Sequence, residues 1–242
     1  MDSSNQAAIR ILSTGRVLVI MAKAPRPGAV KTRLSPSLPA AAVTEFYCCL
    51  LDDTIALARS LTDVEVAMMC PEIDVTELQR FAGNDTRVVA QRGEGLAAGL
   101  TSVFAHFAKD QRRTVAFNSD SPHLPSSVLE EAFEALTSRD LVVGPTHDGG
   151  YYLVGAKASH PTLFANDGMG TSSALERLLA RARVLDLSVG FVEPFYDIDV
   201  TEDLTRLTAE LRLAPTRAPR TAKWLQEWER TGAHLRTSTG EV

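Results

Sequence analysis

Cysteine is scarce in this chain. Cys48 and Cys49 sit side by side in an apolar helical pattern, and Cys70 stands apart. An odd count with two neighbours suits reduced core thiols better than a disulfide framework, which implies a reducing, cytoplasmic setting. No Cys-x-x-Cys occurs and none of the five histidines is spaced as a ligand pair, which disfavours structural zinc and leaves oxygen ligands for any metal. Long apolar runs are also missing. Residues 1 to 16 are polar and of mixed charge, and the apolar run Val17 to Ala22 is too short for a signal core or a membrane span. Neither export nor membrane insertion is expected. Positive charge is not in excess either: the net charge of -5 argues against a general nucleic-acid binder. There is no repeat or low-complexity tract.

A length of 242 residues fits one large α/β domain, and 45% hydrophobic with 23% charged residues is the balance of an ordinary globular protein. Against the acidic background stands a cationic loop. Met21 to Leu34 reads Met-Ala-Lys-Ala-Pro-Arg-Pro-Gly-Ala-Val-Lys-Thr-Arg-Leu, directly behind a short, β-branched run that reads as a buried strand. Lys23, Arg26, Lys31 and Arg33 have no carboxylate near them in sequence before Glu45, so a phosphate ligand is one source of counter-charge. A solvated basic turn is the other reading.

Further along, Val43, Phe46, Tyr47, Leu50, Leu51, Ile55 and Ala58 recur at helical spacing after Pro39. Strands are predicted at Val64 to Cys70, Arg87 to Ala90, Thr114 to Asn118, Leu141 to Gly144, Tyr151 to Gly155 and Val189 to Val192. Helices are predicted at Glu94 to Lys109, Pro125 to Ser138, Thr171 to Arg183 and Asp199 to Leu211, with an Asp74 to Glu77 capping box opening another. The alternation implies an α/β fold with a mostly parallel sheet in three layers. Residues 1–16 read as a flexible tail, 17–211 as the domain, and 212–242, with Trp224 and Trp228, as an appended arm or helix.

Two acidic sites and two small-residue segments could carry chemistry. Asp120 directly follows a strand, where it suits either a metal ion or a turn. In Tyr196-Asp197-Ile198-Asp199 an extended backbone puts both carboxylates on one face with Ile198 inward. Their repulsion favours a shared cation, although Asp199 with Glu202 also forms a helix-capping pattern. Asp148, Gly149, Gly150 and Tyr151 could wall a substrate or make a plain Gly-Gly turn. Gly170, Thr171 and Ser172 precede a helix and suit an anionic acceptor or ordinary capping.

Taken together these segments resemble the nucleotide-diphospho-sugar transferase superfamily with the GT-A fold, and most closely its DUF2064 branch. The resemblance spans roughly residues 17 to 211 and rests on the cationic loop, Ser119-Asp120-Ser121-Pro122, Gly144 to Leu153, the Gly170-Thr171 pair and Asp197 to Leu204. It implies a Rossmann-like sheet whose edge holds a nucleotide. Phosphates would lie on the first loop, at Lys23, Arg26, Gly28, Lys31 and Arg33, with Gln91 and Gly93 also in contact. It implies a divalent ion, Mg²⁺ or Mn²⁺, on Asp120, Asp197 and Asp199. Lys31, Arg33 and Asp120 become the expected catalytic groups of a nucleotidyl or glycosyl transferase acting on a small acceptor, with nucleotidyl transfer favoured by the cationic loop. A non-catalytic nucleotide-binding protein of the same fold is the alternative. The chain departs from the branch at Gln91 to Leu96, at His147 and at Met169.

Overall fold

Seven strands form one sheet in the computed structural model, which describes residues 15–164 and 172–231. The first half of the chain runs β1 (Arg16–Met21), α1 (Ala40–Arg59), β2 (Glu65–Cys70), α2 (Val75–Ala82), β3 (Arg87–Ala90), α3 (Gly95–Phe107) and β4 (Arg113–Asn118). Then follow α4 (Ser126–Ser138), β5 (Leu141–Pro145), β6 (Tyr151–Ala156), α5 (Ala174–Val184), β7 (Val189–Phe191), α6 (Thr201–Leu213) and α7 (Pro219–Arg230). The strand order is β3-β2-β1-β4-β6-β5-β7, parallel except for β6, which runs against both of its neighbours.

Strand β1 lies at the centre because Val17 to Ile20 are apolar on both faces and fully buried, as a strand covered by helices on each side requires. The period of two divides it: Leu18 and Ile20 enter a core with residues of α1, α2 and α4, while Val17 and Val19 enter another with α3 and α5. Burying each such side chain contributes about 1.5–3 kcal/mol. From β1 the chain moves outward to β2 and β3, then returns to place β4 on the other flank of β1. That reversal opens a crevice at the C-terminal ends of β1 and β4, where open α/β sheets bind ligands.

A third apolar cluster lies outside the sheet. It joins Val30, Leu34 and Leu38 after β1 to Phe46 and Leu50 of α1, Ile198, and residues of α6 and α7. The C-terminal segment, expected as an arm or helix, is helical over Pro219–Arg230 and lies on α1. Buried Asp53 of α1 accepts the free N–H groups of Arg220 (3.2 Å) and Thr221 (2.8 Å), so a neighbouring helix caps α7. Trp224 packs on Phe46 at 5.1 Å and stacks on Trp228 at 5.3 Å. The three cysteines are free thiols. Among the described residues no helix is long and apolar enough to cross a membrane.

Candidate active site

Behind β1 the loop is pinned by its own apolar residues. Val30 and Leu34 are buried on either side of Lys31, which turns the backbone into the left-handed region at φ 47°, ψ 39°. A non-glycine residue there costs about 1–3 kcal/mol, and such residues concentrate at functional sites. The turn carries the Lys31 side chain inward until it is only 4% exposed. Its Nζ lies 2.9 Å from Asp120 Oδ2 and 2.8 Å from Asp199 Oδ1. Both partners raise its pKa, against the opposing pull of burial. Arg33 Nη1 reaches Asp199 Oδ2 at 3.5 Å from a mostly exposed position, where an ion pair contributes little.

The expectation that the loop's cations lack protein counter-charge is corrected. Arg26 pairs with Asp74 at 2.5 Å and Glu77 at 3.0 Å, and Lys31 and Arg33 share Asp199. These acids are remote in sequence, 48 residues away for Asp74 and 168 for the Lys31–Asp199 pair, so sequence-local reasoning misses them. Asp74 was expected to cap α2. Instead its carboxylate accepts from Ala24 N at 3.0 Å and from Arg26, fastening the loop to the end of β2. Among the described residues, only Lys23 of the four cations has no ion pair. Its backbone N–H and carbonyl both meet the Tyr47 hydroxyl, which also bonds Ser119 Oγ at 3.0 Å. Tyr47 therefore ties the cationic loop to the segment after β4. Sequence reading took it for core; the polar tip of a buried tyrosine was the available signal.

The acidic segments are brought together by the main chain. Ile198 N–H donates to Asp120 O at 3.1 Å and Ser121 Oγ donates to Tyr196 O at 2.9 Å. Ile198, wholly buried in the third cluster, turns the aspartates on either side of it away from the core. One carboxylate oxygen from each of Asp120, Asp197 and Asp199 lies within 4.8 Å of the others. Burial, then the Asp199 charge, then Asp120, push the Asp197 carboxyl up to about 6, with Lys31 pulling the other way. The capping role considered for Asp199 falls to Asp203, whose carboxylate accepts the N–H groups of Asp199 and Val200 at 2.9 Å each. Freed from that role, the Asp199 carboxylate turns to Lys31.

A cleft of about 860 Å³ opens beside the acidic residues. Lys23, Lys31, Asp120, Asp197 and Asp199 line it, as do Gln91, Gly93 and Tyr151. From β4 to β3 the sheet edge crosses three strand spacings, about 14 Å, room for an extended nucleotide. Beyond β3, Gln91 donates from Nε2 to Gly93 O (2.9 Å) and Gly95 O (3.2 Å), so it shapes this wall as well as lining it. Its Oε1 nests against Gly99 of α3, where an added Cβ would lie only 2.7 Å away. Sequence reading did not single out Gly99. A glycine inside an apolar helical pattern was the signal.

Several expected site residues lie elsewhere. Arg26, Gly28, Arg33, Asp148, Gly149, Gly150 and Ser172 are outside the cleft lining. Asp148 accepts from Thr146 Oγ1 and from Gly150 N at 3.1 Å, closing a turn. Gly149, at φ 89°, lies so close to the start of α5 that a Cβ would sit 2.0 Å from Ser172 O. The Gly-Gly pair is thus a turn packed on α5, and of the expected 148–151 wall only Tyr151 faces the cleft. Gly170 and Thr171, like Met169, lie outside the described residues.

The family model of DUF2064, described as "Uncharacterized protein conserved in bacteria", matches residues 54–171. That span contains Asp120 but neither Lys31 nor Asp197 and Asp199. Among solved structures, a protein of Desulfovibrio desulfuricans G20 provisionally named a nucleotide-diphospho-sugar transferase superposes with a TM-score of 0.81. It is 25% identical, over 89% of this chain and 96% of its own. The 4-diphosphocytidyl-2C-methyl-D-erythritol synthase of Anaerococcus prevotii DSM 20548 shares the fold at a TM-score of 0.57 and 11% identity, over 82% and 97% of the two chains. A cytidylyltransferase of Leptospira borgpetersenii does so at 0.55 and 11%, over 94% and 98%. No curated protein matches the chain. The fold is that of nucleotide-diphospho-sugar transferases and cytidylyltransferases.

Proposed function

We propose that this chain, whose residues 54–171 match DUF2064, is a divalent-metal-dependent transferase using a nucleotide donor and a small acceptor. The observation that carries this reading is the meeting of Asp120, Asp197 and Asp199 within 4.8 Å at a cleft also lined by Lys31. Three carboxylates with no nitrogen or sulfur ligand among them suit a hard cation, Mg²⁺ or Mn²⁺, which these residues would hold. Bound there, the ion supplies neutralisation of charge on a departing phosphate.

The chain's own groups position the reactants. Lys31 and Arg33 bring positive charge to the donor's phosphates, and Lys23 extends it along the loop. The wall shaped by Gln91, with Gly93 and the uncapped first turn of α3, offers backbone N–H groups to the donor's oxygens. Tyr151, which lines the cleft, takes the acceptor side. An acceptor oxygen then attacks in line, and catalysis rests on orientation and charge stabilisation with no covalent enzyme intermediate. The free thiols fit a reducing cytoplasm.

Nucleotidyl transfer, with pyrophosphate leaving, is favoured over glycosyl transfer because two lysines of the loop, Lys23 and Lys31, line the cleft and suit a triphosphate. Incubation with Mg²⁺, each nucleoside triphosphate and a panel of phosphorylated acids is expected to give acceptor-dependent pyrophosphate release. Release of nucleoside diphosphate from nucleotide-sugars instead would assign glycosyl transfer. Asp120→Asn and Asp197→Asn are each expected to cut turnover at least 100-fold with the fold intact. Retained activity in both would remove the metal assignment. Protection by nucleotide against thermal unfolding without turnover of any donor would identify a binding protein instead.

A further inference from the structure

Lys31 holds two of the three carboxylates that the proposed ion needs. Its Nζ stands 2.9 Å from Asp120 and 2.8 Å from Asp199, bridging the two segments whose carboxylates cluster within 4.8 Å. We infer that Lys31 is the internal counter-ion of the acidic site, occupying the place of the divalent cation and withdrawing from Asp120 and Asp199 when that cation binds. This inference rests on the metal-dependent reading above and concerns how the same site is regulated.

Three features suit Lys31 to the exchange. Its backbone is fixed by buried Val30 and Leu34 on either side, so the ammonium travels on its flexible four-carbon stem while the loop stays in place. Its position is one of charge balance. Three ionised carboxylates against one ammonium leave a net charge of about -2 on this count of formal charges, which a divalent ion in place of the ammonium would reduce to about -1. The cleft also provides a destination, because Lys31 lines the cavity proposed for the phosphates. A phosphate oxygen accepting the ammonium releases the carboxylates, so nucleotide and metal must each tighten the other's binding by the same factor. Without nucleotide, the ion has to displace a buried ammonium with two short bonds, and the ligand-free site is held closed to stray cations.

Mn²⁺ binding followed by electron paramagnetic resonance on the full ligand-free chain tests the exchange. Lys31→Met is expected to bind Mn²⁺ at least tenfold more tightly than the wild type, while Lys31→Arg stays within about threefold of it. Unchanged or weaker binding by Lys31→Met overturns the inference. Removal of charge alone would tighten binding even if Lys31 never moved, so the wild type supplies a second measurement. Saturating Mn²⁺ is expected to raise acylation of Lys31 by an amine-reactive reagent several-fold, read by mass spectrometry, and constant acylation overturns displacement. That measurement decides alone if Lys31→Met fails to fold. Absence of Mn²⁺ binding in every protein would remove the metal reading together with this inference. Equal binding by wild type and Lys31→Met would remove this inference only.

Discussion

At Lys31 the chain tolerates a left-handed backbone worth about 1–3 kcal/mol of strain and a nearly buried ammonium. Buried Val30 and Leu34 hold the backbone, and the pair of short bonds to Asp120 and Asp199 holds the ammonium. Asp199→Ala strips one partner from a buried charge and is expected to lower stability by about 1–3 kcal/mol, measured by urea denaturation. Arg33→Ala, removing an exposed group 3.5 Å from the same carboxylate, should change stability by less than about 0.5 kcal/mol. The types of these residues were legible in the sequence and their partners were not. Arg26 looked free because Asp74 is 48 positions away, and only the pairing of β1 with β2 brings them together. Asp199 kept capping as an alternative to a metal role because Glu202 follows it at the right spacing, whereas Asp203 makes the bonds.

Strands and helices were easier to read than side-chain partners, because periodicity is local and ion pairs are not. The strand expected at Val17 to Ala22 is observed at Arg16–Met21, and the helix expected from Pro125 is observed at Ser126–Ser138. Antiparallel β6 was harder, since no local feature of Tyr151 to Ala156 fixes its direction. The Gly149-Gly150 turn feeding β6 is set by contact with α5. Gly149→Ala would place a methyl group on Ser172 O and force a positive φ on alanine, with an expected loss of about 2–4 kcal/mol, visible as a lowered Tm. Asp53→Ala removes the cap of α7 and should cost about 0.5–2 kcal/mol. Limited proteolysis is expected to cut between α6 and α7 in this variant before it cuts the wild type.

Across the whole molecule, a buried imidazole lowers stability as pH falls, opposed in the same window by Asp197, whose raised carboxyl takes up a proton in the fold. His123 packs 4.8 Å from Phe195 and 4.7 Å from Tyr196; among the described residues neither ring nitrogen has a hydrogen-bond partner, and the Glu210 carboxylate stands 3.9 Å from Nε2. Burial, reinforced by Arg217 and Arg206, pushes its pKa down to about 3 from 6.5. The unfolded chain therefore takes up a proton that the fold refuses. Stability from this group is full above pH 6.5 and falls by about 1.4 kcal/mol per pH unit below it, until the folded value is reached. Between pH 6.5 and 5 that amounts to about 2 kcal/mol. His123→Phe keeps the ring packing and should remove this loss from the denaturation free energy across that window, leaving the opposing gain from Asp197; an unchanged slope would assign the loss to other groups.

The layering of the cores bears on heat resistance. Asp120 hangs from a central strand, whereas Asp197 and Asp199 ride on Ile198, which is anchored among the outer helices α6 and α7. The proposed reactive centre therefore straddles a seam between an inner body and a mantle, much as an interface site straddles two subunits. Warming that loosens the mantle would part the aspartates while the sheet still stands, so inactivation should precede melting of the circular-dichroism signal. Cross-linking α7 to α1 should bring the two curves together.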